Sequence, residues 1–245
     1  VVTESGLPES REIWEYILGK NGSDSVVARD TMYKRGLNKM YANWTEGRAL
    51  IEWMREYNRN HDNKLHYYGS DIGGFYQDWK TPFASIFGYL QKVDAPFAKV
   101  ISTDLSPFLD ILSQNARVNH SEHLSALEKA RLEILLDDLL WHMDSHREEY
   151  VAKSESDETE FEWARQSVES MRLADNYYRN YLQQCHPKTS KFVGLDGREI
   201  AMHRNVLWAL DQRRRCGDGT GKLIIIHHVV HTKTESQCQE DPWGY

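Results

Sequence analysis

The sequence predicts an α/β fold, in which a mainly parallel sheet is flanked by helices and carries a large α-helical insertion. Short apolar segments typical of strands occur at 1–4, 65–69 and 222–228. The segments between them repeat apolar residues at the three-to-four spacing of amphipathic helices. Strand and helix alternation at both ends of the chain, around a helical middle, is typical of a parallel sheet with a helical insertion.

Each predicted strand leads into polar residues at its C-terminal end. The first ends in Glu4, the second is followed by Asp71, and the third ends in His227 and His228. The third strand contains consecutive isoleucines, which predict burial on both faces. Because ligands bind at the carboxyl ends of strands in open α/β sheets, we expect these polar side chains to share one rim.

The segments between the strands carry a helical pattern of apolar residues, at 44–60, 120–150, 157–184 and 198–214. Thr45 is expected to cap the first helix, and Ser125 with Glu128 forms a capping-box pattern in the second segment. We assign the leucines of the second segment to the core. This organisation predicts an α/β core formed by residues 1–79 and 191–245, and a helical lobe formed by residues 80–190.

The composition excludes several classes of protein. Of the 245 residues, 30 are basic and 37 are acidic, which gives a formal charge of −7. An acidic chain argues against general binding to nucleic acids or anionic membranes, because basic side chains must neutralise their phosphates. No apolar run approaches the roughly 20 residues that span a bilayer. The three cysteines are far apart and form no CxxC pair, which favours reduced thiols and a cytoplasmic location.

The histidines His227, His228 and His231 form the densest group of chemically useful side chains. Imidazole transfers protons near neutral pH and, when neutral, binds metals. Residues three apart in a strand point to opposite faces, so His228 and His231 converge only if the strand ends between them. A catalytic role, a metal site and ordinary structural hydrogen bonding all remain open, although no HExxH motif supplies further metal ligands.

Two carboxylates and one arginine are the other candidate site residues. Glu4 and Asp71 can each fix an imidazole tautomer or act as a base, or else serve as a turn or cap acid. Arg55 lies in a predicted helix, where it is either a solvated charge or a group that stabilises an anion in a cleft.

Two glycine-rich segments imitate known motifs. Gly69–Gly73 has the spacing of a hydrolase nucleophile elbow with Asp71 at its centre, but aromatic residues follow it where an elbow passes straight into a helix. Gly217–Gly221 resembles a phosphate-binding loop, but it connects a helix to a strand, which is the reverse order. We therefore predict a turn at 217–221.

Several motifs, in order along the chain, resemble the erythromycin esterase family, which includes proteins labelled as related to succinoglycan biosynthesis. The matching motifs are Glu4 with Pro8, Trp44-x-Glu46, Trp53-Met54-Arg55-x-Tyr57-Asn58, Tyr67-Tyr68-Gly69-x-Asp71, Tyr89-Leu90-x-x-Val93-Asp94, Arg198-x-x-x-Met202-x-x-Asn205-Val206-x-Trp208 and His228-x-x-His231.

The resemblance implies a metal-independent hydrolase without a cofactor, in which activated water attacks a carboxylic ester such as a macrolide lactone, an activity linked to macrolide resistance. It implies that Glu4 orients the water, and that His228 and His231 stabilise the oxyanion and protonate the leaving alkoxide. It further implies that Arg55, Asp71 and His227 bind the substrate. The expected partner is a small-molecule ester or lactone, with no nucleic acid and no membrane.

The sequence departs from the family pattern in two ways. The family's first strand, whose histidine acts as the base, should precede Val1, and further elements should follow Tyr245; we therefore expect a chain truncated at both ends. The usual Ala-His-Asn-Ala-His segment reads His-His-Val-Val-His at 227–231. Two alternatives stay open: a metal- or haem-binding module that uses the three histidines, and a catalytically inactive partial family member.

Overall fold

The computed structural model describes residues 1–20, 25–74, 78–154, 158–180, 193–215, 222–228 and 231. Its elements are, in order, β1 (Val2–Gly6), α1 (Leu7–Ile17), α2 (Val26–Gly36), α3 (Lys39–Asn43), α4 (Thr45–Asn60), β2 (Tyr68–Asp71), α5 (Lys80–Val93), α6 (Ala95–Ile111), α7 (Ala116–His123), α8 (Ala126–Ser145), α9 (Arg147–Lys153), α10 (Thr159–Asn180), α11 (Val193–Arg215) and β3 (Ile225–Ile226). The predicted α/β class with a helical insertion is confirmed.

The three strands of the described sheet are parallel, in the order β2-β1-β3. Their carboxyl ends therefore meet at one edge. Thr3 pairs with Gly69 and Gly6 pairs with Asp71, so β1 advances three residues where β2 advances two. One extra residue of this kind makes a bulge, which bends a strand and turns its side chains to new directions. The bulge includes Glu4.

Helices cover both faces of the sheet. Tyr67 packs with apolar residues of α1, α2 and α4, whereas its neighbour Tyr68 packs with Trp14, Trp163 and Ala209, which belong to α1, α10 and α11. Successive residues of an extended chain point to opposite faces, so the two tyrosines anchor two separate cores. A third core joins α5, α6, α8 and α10 in the helical region.

The prediction that 222–228 forms a strand buried on both faces is wrong. Only Ile225–Ile226 form a strand, and Ile224, Ile225 and Ile226 are 66%, 49% and 36% exposed. Among the described residues, β3 pairs on one side only, with β1, and none of the three cores includes these isoleucines. A run of β-branched residues indicates a preference for extended backbone, but it does not predict which other elements cover the strand.

The helix ends agree with the sequence in part. The capping box of Ser125 and Glu128 is present at the start of α8. The cap predicted at Thr45 is wrong, because Trp44 occupies the N-cap position of α4 and makes no side-chain capping bond. The segment 120–150 is divided among three helices, and the restart at Ser125 leaves Leu127 80% exposed.

The chain leaves β2 through Gly73 and Gly74, and α5 begins only at Lys80, so the elbow geometry imitated by Gly69–Gly73 does not form. The turn predicted at 217–221 lies outside the described residues. The division into a core and a helical lobe stays a prediction. No helix in the described part of the chain is both long enough and apolar enough to cross a membrane.

Candidate active site

Glu4 is held at the bulge of β1 by the side chain and backbone of Asn38. The Asn38 amide nitrogen Nδ2 donates to the Glu4 carbonyl at 2.9 Å, and its backbone N–H donates to Ser5 Oγ at 2.9 Å. Asn38 is itself fixed, because its Oδ1 caps α3 by accepting from the Met40 N–H. The start of a helix therefore positions the backbone that carries the carboxylate.

Arg198, near the start of α11, joins the ends of β1 and β2. Its Nε and Nη2 donate to the two carboxylate oxygens of Asp71 at 2.8 and 2.5 Å, and Nη2 also donates to Glu4 Oε1 at 3.0 Å. All three side chains are buried, with 7%, 0% and 6% of the side chain exposed for Arg198, Asp71 and Glu4. A bidentate guanidinium–carboxylate pair fixes the orientation of both groups.

The end of β2 is held by a second polar group. Asn205 Nδ2 donates to the Ser70 carbonyl at 2.8 Å, and Gln166 Nε2 donates to Asn205 Oδ1 at 2.9 Å. The Asp71 carboxylate is fully buried and accepts from the Ile72 N–H at 2.9 Å as well as from Arg198. In this structure it positions Arg198, and direct binding of substrate by Asp71 stays a prediction.

His231 stands between two carboxylates. Its Nε2 lies 3.2 Å from Glu4 Oε1, and its Nδ1 lies 2.5 Å from Glu199 Oε1. Because carboxylates accept hydrogen bonds, both ring nitrogens carry protons in this arrangement. Arg198 Nη1 lies 3.4 Å from Nε2, and this close approach of two cations disfavours the charged ring.

The two carboxylates decide the protonation of His231. Burial and the charge of Arg198 lower the pKa of His231, but the hydrogen bonds to Glu199 and Glu4 outweigh them and raise it to about 9. Burial alone would raise the pKa of Glu4, yet bonds from His231 and the His228 N–H, with the charge of Arg198, hold it well below its usual range. At neutral pH the site therefore contains a Glu4 carboxylate beside a His231 imidazolium.

His227 and His228 contribute in different ways. Beyond β3, the His231 N–H donates to the His228 carbonyl at 3.0 Å. His228 is an exposed residue, and its backbone N–H donates to Glu4 Oε2 at 3.2 Å. His227 is half-buried; its Nε2 lies 2.7 Å from Ser70 Oγ, and its ring centroid lies 6.5 Å from that of His231. A catalytic role for the His228 side chain stays a prediction.

Arg55 lies in the contact between α1 and α4. Its guanidinium stands over the ring of Tyr16 at 3.9 Å, and Tyr16 donates to Glu52 at 2.8 Å. The face of an aromatic ring attracts a cation electrostatically, so Tyr16 holds the Arg55 guanidinium within the protein. The predicted substrate-binding role of Arg55 stays a prediction.

Sequence reasoning named Glu4, Asp71 and the histidines but missed Arg198, Glu199 and Ser70. Arg198 stood in a quoted motif without a role, and Ser70 directly precedes Asp71 at a strand end. An arginine on a helix gives no sign of which carboxylate it meets. Within the described ranges, no group of three or more His, Cys, Asp or Glu side chains is arranged to hold a metal ion.

The chain matches the sequence profile of a known family, described as erythromycin esterase, over residues 1–244. No curated protein matches it in sequence.

Three solved structures are similar in fold. A Bacillus cereus protein has a TM-score of 0.68 at 18% identity, covering 93% of this chain and 48% of that one. A succinoglycan biosynthesis protein has a TM-score of 0.66 at 15% identity, covering 94% and 48%. A mutant of erythromycin esterase EreC in its open conformation has a TM-score of 0.62 at 14% identity, covering 92% and 51%. The chain spans about half the length of each of these proteins.

Proposed function

Because the chain belongs to the erythromycin esterase family, we propose that it hydrolyses a carboxylic ester by attack of water at the site of Glu4, Arg198 and His231. Family membership indicates a hydrolase and a small-molecule substrate. The observation that carries the proposal is the His231 imidazole held between Glu4 and Glu199 at the carboxyl ends of parallel strands. Strand ends of this kind are where α/β folds bind ligands.

His231 supplies positive charge and a proton in the proposed reaction. The oxygen of the ester carbonyl becomes negative as water adds, and a fixed N–H donor can lower that barrier by about 3 kcal/mol. The Glu199 side chain is 37% exposed, so it is the partner that a substrate can displace from Nδ1. The freed N–H then donates to the oxyanion and passes its proton to the leaving alkoxide.

Glu4 and Arg198 prepare His231 for this role. The Glu4 carboxylate accepts from Nε2, which orients the ring and favours its charged form. Arg198 donates to Glu4 in turn, and its charge adds to the bonds from His231 and the His228 N–H that keep Glu4 ionised. The backbone N–H of His228 donates to Glu4 and the residue is exposed, and we propose that its side chain contacts the substrate.

The finer proposal concerns the substrate and its setting. We propose a macrolide lactone as the ester, because one of the similar structures is an erythromycin esterase, and its hydrolysis would serve macrolide resistance. The separated cysteines support a reducing compartment such as the cytoplasm.

The proposal is tested by incubating the folded chain with p-nitrophenyl esters of several chain lengths and with a macrolide lactone in ¹⁸O-labelled water. We expect hydrolysis of at least one ester, with one labelled oxygen in the acid product. Glu4→Gln should abolish it, while Glu46→Gln, which changes an exposed carboxylate on α4, should not. A folded chain that hydrolyses none of these esters would contradict the proposal.

A further inference from the structure

Ser70 and His227 form a hydrogen-bonded pair that joins the two strands on either side of β1. Ser70 Oγ lies 2.7 Å from His227 Nε2 and 2.9 Å from the carbonyl oxygen of Thr3. Ser70 is fully buried at the end of β2, whereas His227 follows β3 and keeps part of its surface in solvent. The pair lies near Glu4, but neither residue takes part in the hydrogen bonds that join Arg198, Glu4 and His231.

The hydrogen-bond donors in this pair follow from the atoms that Ser70 faces. A hydroxyl has one proton, and a carbonyl oxygen has none. Since Ser70 donates to the Thr3 carbonyl, its oxygen is left to accept from His227. The proton of neutral His227 then resides on Nε2, and the lone pair that can accept a new proton resides on Nδ1.

The surroundings of His227 keep its ring neutral near pH 7. Burial is the largest influence and lowers the pKa of His227, and the charge of His231 lowers it as well. The carboxylates of Glu4, Asp71 and Glu199 act in the opposite direction without reversing the shift. The pKa values of the two histidines therefore differ in opposite directions from the ordinary value, so that near pH 7 His231 is charged and His227 is neutral. Groups whose pKa values diverge in this way are suited to the acid and base roles of one reaction.

We propose that His227, rather than the first-strand histidine that the family resemblance implies, accepts a proton from the attacking water through Nδ1. Ser70 is the positioning residue that selects the tautomer in which Nδ1 can do so. The inference rests on the proposed ester hydrolysis. As the water oxygen bonds to the carbonyl carbon, its proton moves to Nδ1. The ester C–O bond then breaks, and the leaving alkoxide takes a proton from His231. The two histidines return to their starting states by exchange with solvent.

The tautomer is tested without measuring activity. In protein labelled with ¹⁵N-histidine, the nitrogen shifts and long-range proton couplings identify which nitrogen of each neutral ring carries the proton, and His227→Gln assigns the signals. We expect an Nε2–H tautomer for His227 above its pKa. Ser70→Ala should produce a mixture of tautomers. Ser167→Ala, which removes another buried hydroxyl, bonded to the Trp163 carbonyl on α10, should leave the tautomer unchanged.

Two outcomes would overturn the inference: an Nδ1–H tautomer in the unmodified chain, or an unchanged tautomer in folded Ser70→Ala. The first does not depend on Ser70→Ala, so it applies even if that variant fails to fold.

The proton-transfer role is tested on any ester that the chain hydrolyses. General-base catalysis contributes on the order of 100-fold or more, so His227→Gln should lower kcat by at least about that factor. Ser70→Ala should lower kcat less than His227→Gln does, with little change in KM, because base catalysis persists in the molecules that keep the tautomer. Unchanged kcat in folded His227→Gln would overturn the base assignment. An Nε2–H tautomer in a chain that hydrolyses no ester would contradict the proposed function, while supporting the assignment of Ser70.

Discussion

Arg198 Nη2 lies 3.0 Å from Glu4 Oε1, although 194 residues separate the two in the sequence. The same guanidinium binds both carboxylate oxygens of Asp71, so one cation connects the ends of β1 and β2 to α11. Buried charges are tolerated when they are paired, and here each group is paired at short range. The fold and the candidate site therefore depend on the same ion pairs.

Arg198→Met should destabilise the protein strongly, because it leaves two buried carboxylates without their cation. Loss of one partner of a buried ion pair costs about 3–5 kcal/mol, and we expect a decrease in the free energy of unfolding of about this size. Urea denaturation measures it. Arg204→Met is the matched control on α11, since the Arg204 side chain is 51% exposed and should contribute less than about 1 kcal/mol. Equal effects of the two substitutions would contradict the ion-pair account.

His231 should make stability depend on pH on the alkaline side. Its pKa rises from 6.5 in the unfolded chain to about 9 in the folded one, so the folded state holds more protons between these values. The stabilisation is complete below pH 6.5 and is lost as the pH passes through about 9. Its size is at most about 3 kcal/mol. Urea denaturation from pH 6 to pH 9.5 should show this decrease, and His231→Gln should remove it.

Glu9 should add a second pH dependence at lower pH. Burial, helped by the charges of Asp71 and Asp78, raises the pKa of Glu9 from 4.5 to about 7, although its carboxylate accepts from the Gly74 N–H at 2.6 Å. The folded state therefore favours the protonated acid, and stability falls as the pH rises from about 4.5 through 7.

Glu9→Gln should remove this decrease, because a glutamine can still accept from Gly74 and has no charge to bury. Relative to the variant, the unmodified chain should lose up to about 3 kcal/mol between pH 4.5 and pH 8. Urea denaturation at the two pH values measures the loss, with Glu46→Gln at an exposed position as the control. Parallel pH profiles for the unmodified chain and Glu9→Gln would contradict the assignment.

Asn38→Asp should separate positioning of Glu4 from capping of α3. An aspartate can still accept from the Met40 N–H, but it has no N–H to donate to the Glu4 carbonyl. A buried carbonyl that loses its donor, beside a new buried charge, costs about 1–3 kcal/mol. We expect a loss of this size in urea denaturation, together with lower ester hydrolysis. Full activity at unchanged stability would show that Glu4 needs no support from Asn38.

The sequence predicts the edge of the sheet at which the candidate site lies, for a physical reason. Carboxyl ends of parallel strands meet in space, so Glu4 and Asp71 could be placed together from strand assignments alone. The structure brings His231 to the same edge. The partners of the histidines were not predictable, because the strand ends at Ile226, after which His227 meets Ser70 and His231 meets Glu4.

The roles of Arg198 and Ser70 could not be predicted from the sequence, for another reason. Their roles depend on which groups they meet across 127 and 157 residues of chain. Periodicity indicates which face of a helix is apolar, and it does not identify the partner of one polar residue near the helix start. The exposed isoleucines of β3 illustrate the same limit, since their burial depends on elements elsewhere in the chain.

We propose that the imidazolium of His231, held by Glu4, stabilises the oxyanion and protonates the leaving alkoxide in ester hydrolysis. This role is tested most directly by kcat/KM of His231→Gln on the best ester substrate of the unmodified chain. His203→Gln, at an exposed position of α11, is the control, and circular dichroism verifies that both variants are folded. We predict a decrease of at least about 100-fold for His231→Gln and none for His203→Gln. Equal turnover by folded His231→Gln would contradict the account.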